Sequence, residues 1–141
     1  MTNSLSVDSL QTVSSSSFCD TPDFTQVYAD EFTGETLDEK SWALDLEGGD
    51  SRVRESQGLA ENVYLKDGNL ILKTQKVETP INGYNYTSGA IQSQGLKSFQ
   101  GKTRVCIMAK LPGDDGGGKG IWPAHWLMVS SINCECLTIG Y

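Results

Sequence analysis

Residues 61–76 read ENVYLKDGNLILKTQK. Two β-rich runs, 61–65 and 69–76, flank Asp67-Gly68, a pair that readily takes the positive φ angles of a tight hairpin turn. On the far side of the turn the period is two: Leu70 and Leu72 share one face, Lys73 and Gln75 the other. Outward from this hairpin the texture repeats. In KTRVCIMAKLP (102–112) strict alternation sets Val105, Ile107, Ala109 and Leu111 against Arg104, Cys106, Met108 and Lys110, and the first set is predicted to face the core. YTSGAIQSQG (86–95) reads as a further strand. No segment sustains the i, i+3, i+4 spacing of an amphipathic helix, and no internal repeat is found. The chain is therefore read as all-β, a sandwich or barrel of short antiparallel strands.

Size and charge bound what such a fold can do. The 141 residues suit one domain with a small core. Residues 1–24 are rich in Ser and Thr and poor in large apolar side chains, a composition that cannot offset the entropy of ordering, so they are predicted to be a disordered tail. Net charge is −7, from 11 Lys plus Arg against 18 Asp plus Glu. No basic stripe exists to neutralise a phosphate backbone, which argues against a nucleic-acid partner. No apolar run approaches the length of a membrane span, and the first residues, MTNSLSVDSLQTVSSSSFCD, lack the charged and apolar regions of a secretion signal. The four cysteines (Cys19, Cys106, Cys134, Cys136) are too scattered for a zinc pattern and leave the redox compartment open.

The run LPGDDGGGKGIWPAHW (111–126) poses a separate question. Gly113 and Gly118-Lys119 fit a phosphate-binding loop, except that Gly120 stands where a hydroxyl is required. Such a loop must also open a helix whose free N–H groups hold the anion. Gly-Ile-Trp-Pro begins no helix, and Asp114 and Asp115 would repel phosphate. A nucleotide is not expected.

The longer stretch KLPGDDGGGKGIWPAHWLM (110–128) resembles instead the K-L-P-G-x-G-x-W-P-A-x-W segment of glycoside hydrolase family 16, the β-glucanases and laminarinases. Four more blocks agree in order. VYADEFTGETLDEKSW resembles that family's D-E-F-x-G-x-x-L-D-x-x-x-W, and AENVYLKDGNLIL its E-N-V-x-x-x-D-G-x-L. YTSGAIQSQG resembles its Y-T-S-G-x-I strand, and FQGKTRVCIMAKLP its F-x-x-G-x-x-x-x-R-x-K-L-P, with Met108 where Arg is usual. The similarity runs from Tyr28 to Met128. It implies an antiparallel jelly-roll β-sandwich of concanavalin A-like type over 25–128, with 129–141 a divergent tail.

The resemblance also implies a parent activity: endo-hydrolysis of β-1,3 or mixed β-1,3/1,4 glucan with retention, with β-glucan polysaccharide as partner. The family's catalytic strand, E-x-D-x-x-E or E-x-D-x-E, supplies a nucleophile and a general acid/base. Neither motif occurs here. If Glu135 is laid on the first Glu, Leu137 and Gly140 fall on the other two positions, so the chain is expected to be truncated before the catalytic strand, inactive and without catalytic residues of its own. The alternative is a non-catalytic β-glucan-binding module. Asp45 and Glu47, two apart in LDLEGGD, lack a third partner and read as a solvated acidic face. Trp122 and Trp126 match aromatic positions that can stack on sugar rings, although Trp126 equally suits a core. Asn62 suits either the cleft or a hairpin cap. His125 reads as packing, and Arg52 and Arg54 as loop charges. No cofactor is required, but the family's structural calcium would draw on Glu31 and Gly68, weakly, since calcium wants about 6–8 oxygens. The family is usually extracellular, and Asn85-Tyr86-Thr87 is a glycosylation sequon that matters only in a secreted chain.

Overall fold

In a computed structural model the described residues are Cys19, 21–46, 55–112, 122–131 and 134–140, the side chains beyond Met128 excepted. Nine strands run through them: β1 (Ala43–Leu44), β2 (Gln57–Gly58), β3 (Val63–Lys66), β4 (Asn69–Leu72), β5 (Gln75–Ile81), β6 (Tyr84–Ser88), β7 (Ala90–Gln92), β8 (Ala124–Ser131) and β9 (Cys134–Gly140). They form three sheets, in the orders β1-β7-β9-β8, β2-β6-β5 and β3-β4. Every pairing is antiparallel except that of β2 with β6.

The hairpin read from residues 61–76 is present as β3 and β4, with Val63 opposite Leu72 and Lys66 opposite Asn69. Asp67 and Gly68 have φ of 51° and 70°, as a two-residue turn matched to strand twist demands. The amide of Lys73 donates to the Asn62 carbonyl at 2.8 Å and closes the open end of the ladder. The far strand is shorter than expected: it stops at Leu72, and the chain restarts as β5 in another sheet. A second hairpin turns at Asn82-Gly83 (φ 50° and 87°) between β5 and β6.

YTSGAIQSQG is not one strand but two, divided at Gly89. β6 belongs to the sheet of β2 and β5, β7 to that of β1 and β9. A Cβ on Gly89 would lie 2.3 Å from the Asn62 carbonyl oxygen, so only glycine lets the chain cross between sheets here.

The core gathers on Trp42 and Ile91, with Tyr28, Phe32, Leu37, Val63, Leu70, Leu72 and Ile107 packed around them. Trp42 is set by the turn before it. Asp38 accepts from the Ser41 hydroxyl at 2.6 Å and the Lys40 amide at 3.1 Å, and its carbonyl takes the amides of Ser41 and Trp42. The indole N–H of Trp42 then donates to Asp30 at 2.8 Å. Asp30 also accepts from the Phe32 amide, which holds Phe32 at φ 51° and tilts its ring to 5.9 Å from that of Trp42.

The alternation in 102–112 is only partly cashed in. These residues join no sheet among the described residues, and of the four predicted core side chains only Ile107 reaches the Trp42–Ile91 cluster. Val105, Ala109 and Leu111 are exposed, Leu111 at 52%. Alternation marks a face that can be buried, but burial needs an opposing layer, and here only Ile107 has one. The segment is instead strapped to the residues around position 20. Cys19 is disulfide-bonded to Cys106, the Arg104 guanidinium lies 4.5 Å from the Phe24 ring centroid, and Arg104 donates to the Thr21 hydroxyl at 2.8 Å. Most of the 1–24 segment lies outside the described residues. Residues 134–140, in the stretch expected to diverge, form β9.

Candidate functional site

β8 is an edge of its sheet among the described residues, and β9 lies between it and β7. Trp122 precedes β8 and is 63% exposed, while Trp126, within β8, is 48% exposed. His125 and Met128 are exposed as well. The glycine-rich connection 113–121 that leads into this strand lies outside the described residues.

β9 follows β8 after a two-residue gap and pairs with it antiparallel. Leu137 stands opposite Leu127, Glu135 opposite Val129 and Gly140 opposite Ala124. The strand sequence CECLTIG contains a single carboxylate, Glu135. Retaining glycosidases need two, about 5–5.5 Å apart.

A second feature lies at the other edge of this sheet. Leu44, Asp45, Leu46, Gln92 and Gln94 line an open recess of about 650 Å³. Two primary amides and a carboxylate offer donors and acceptors of the kind sugar hydroxyls use. Gln92 and Gln94 escaped the sequence reading because they were absorbed into a strand pattern. The signal was in the alternation itself, since Gln92 is only partly buried, Gln94 is exposed, and Ser93 between them is buried. Asp45 is half-buried, and its amide donates to the Ala90 carbonyl. Its expected companion Glu47, with Arg52 and Arg54, lies outside the described residues.

Asn62 is 1% exposed. It ends a single 3-10 turn, Ala60–Asn62, and lies against Gly89, with its side-chain amide nitrogen free of hydrogen bonds. Its backbone carbonyl accepts from the Lys73 amide at the open end of the β3–β4 hairpin. Glu31 is exposed beside Phe32, and Gly68 sits in the hairpin turn. Those two would bring backbone carbonyls to a calcium ion. Among the described residues no three His, Cys, Asp or Glu side chains come together as metal ligands. No chemistry is assigned to a calcium ion.

The chain is 30% identical to the laminarinase of Flavobacterium sp. UMI-01, whose crystal structure it matches with a TM-score of 0.54 over 75% of this chain and 44% of that one. It is a relative of the family 16 β-glucanases. It is also 29% identical to glucan endo-1,3-beta-glucosidase A1 of Niallia circulans, over 72% of this chain and 17% of that protein. A mutant of a non-specific endo-beta-1,3(4)-glucanase from family 16, crystallised with 1,3-beta-D-cellotriosyl-glucose, is 34% identical over 57% of this chain and 35% of its own, with a TM-score of 0.43. No family model matches the chain. The mostly antiparallel sheets are similar to those of the Flavobacterium laminarinase, and the chain spans less than half the length of each of these relatives.

Proposed function

We propose that this chain is a β-glucan-binding portion of a laminarinase-type protein, and that residues 1–141 alone do not hydrolyse glucan. The likeness to the Flavobacterium laminarinase is the observation that carries the substrate class. The exposed rings of Trp122 and Trp126 suit the apolar C–H faces of glucosyl units, and the Gln92–Gln94 recess supplies polar partners for their hydroxyls.

The parent reaction is cleavage of β-1,3 or β-1,3/1,4 linkages with retention. One carboxylate attacks the anomeric carbon, while another protonates the departing oxygen and then activates water. β9 follows the W-P-A-x-W strand as the family's catalytic strand does, yet Leu137 and Gly140 leave Glu135 without a second acid. General acid/base catalysis is worth about 10²–10⁴-fold by itself, and aromatic binding does not replace it. Purified 1–141 is expected to bind laminarin and to release no reducing sugar from laminarin or mixed-linkage glucan. Turnover abolished by Glu135→Gln would overturn the inactive reading. A folded chain that ignores both glucans would overturn the substrate class.

A further inference from the structure

The only N-x-S/T sequon of the chain, Asn85-Tyr86-Thr87, lies on β6 and is divided by the fold. Asn85 is exposed and, with Lys76, Val77 and Glu78, lines an open recess of about 630 Å³. Thr87 is 0% exposed, opposite Gln75 on one neighbouring strand and Gln57 on the other. Among the described residues its hydroxyl has no hydrogen-bond partner. A buried hydroxyl without a partner costs free energy that a methyl group of the same shape would not, so among the described residues no packing contact calls for the oxygen at position 87. A sequon does have a use for it, because the acceptor Asn must be followed two residues later by a hydroxyl amino acid.

The Cys19–Cys106 disulfide supplies a second, independent observation. Disulfides form and persist in the oxidising secretory lumen, the extracellular space and similar compartments, and are rare where thiols are kept reduced. Asparagine-linked glycans belong to secreted chains as well.

We propose that Asn85 is an N-glycan acceptor, and that the glycan is attached before β6 pairs with its neighbours. The donor is an oligosaccharide carried on a polyprenyl pyrophosphate. The Asn85 side-chain nitrogen forms a bond to the anomeric carbon, and the bond from that carbon to the pyrophosphate oxygen breaks. The oxygen keeps the electron pair, the amide loses one proton, and nothing is oxidised or reduced. In the folded sheet Thr87 is enclosed, so the sequon is readable only in the unpaired chain. Once β6 is in place the glycan leaves from the exposed Asn85 without displacing any packed group.

The experiment expresses the full 141-residue chain behind a cleavable secretion leader in a eukaryotic host and compares intact mass before and after treatment with an N-glycan amidase. One glycan is expected, released with conversion of Asn85 to Asp. Asn85→Gln and Thr87→Val should both abolish it, and Thr87→Ser should retain it. Thr87→Val should unfold at the same denaturant concentration as the deglycosylated parent or a higher one. Purified folded chain offered transferase and donor should stay unmodified, whereas the reduced, unfolded chain should accept the glycan. A secreted chain at its bare sequence mass overturns the proposal. A marked loss of stability in Thr87→Val overturns the argument from the idle hydroxyl, and modification of the folded chain overturns the order of events.

Discussion

The two ends of the described fold treat their apolar residues in opposite ways. From Tyr28 to Ile91, aromatic and aliphatic side chains converge on Trp42, and polar groups tie the knot: Asp30 holds the indole and the Phe32 amide, and Asp38 holds the turn. From Val105 to Met128, Val105, Met108, Leu111, Trp122, Trp126, Leu127 and Met128 are all exposed. Both regions alternate or cluster apolar residues equally well in sequence. What separates them is that side chains of the first pack around Trp42 and Ile91, whereas in the second, among the described residues, only Ile107 does. Where exposed apolar residues form one patch, they mark a face meant for covering or binding.

Substitutions at the knot should have the largest effects. Trp42→Ala is expected to cost about 3–5 kcal/mol, as emptying an enclosed aromatic site does. Gly89→Ala should be comparably damaging, because its methyl group would meet the Asn62 carbonyl, which is backbone and cannot swing aside. Leu111→Ser, in the exposed region, should change stability by no more than about 0.5 kcal/mol. Urea unfolding midpoints of the three variants check this. Equal losses at positions 42 and 111 would break the distinction between the regions.

Next in size is the strap that joins them. Removing Cys19–Cys106, as the double serine variant, is expected to cost about 2–4 kcal/mol, since the link closes a loop of 87 residues in the unfolded chain. Reduction of the parent should reproduce that loss, and a reductant that leaves the midpoint unmoved would show that the strap does not contribute. The binding face is a finer test. Trp122→Ala should leave the midpoint alone and weaken laminarin binding by up to about tenfold, the scale of one stacked aromatic. A stability loss with unchanged binding would turn Trp122 into a packing residue.

The hairpin at Asp67-Gly68 was legible because its turn is dictated by two adjacent residues and its faces by period two. The β class was legible for the same reason. The division of YTSGAIQSQG at Gly89 was not, because the approach of the Asn62 backbone is set by a residue 27 positions earlier and leaves no local mark beyond the glycine itself. Burial in 102–112 was overread, since alternation says which face could be covered but not whether a layer arrives. The disulfide was illegible for a related reason: four scattered cysteines admit several pairings, and only the strap around Phe24 selects Cys19 with Cys106. In the candidate site, the tryptophans enter by resemblance and are exposed, whereas Gln92 and Gln94 emerged only when Leu44, Asp45 and Leu46 were brought beside them.

The smallest expected effect separates the regions by pH. The Asp38 carboxyl is held below its ordinary value, first by the hydrogen bond from the Ser41 hydroxyl and then by that from the Lys40 amide. A folded value below the unfolded one, which is about 3.9, means that Asp38 contributes stability above pH about 4 and loses that contribution as pH falls through the folded value. Asp38 is exposed, so the contribution is small. It acts at the turn that presents Trp42, and Leu111 and Trp122 lie on no such turn. Other carboxylates titrate over the same range, so the informative quantity is the difference between parent and Asp38→Asn. The parent's advantage should be constant from neutral pH down to about 4 and shrink below it. A Leu111→Ser control should run parallel to the parent throughout. Parallel profiles for Asp38→Asn would show that its carboxylate charge does not support the turn, leaving the main-chain hydrogen bonds to hold Trp42 in place.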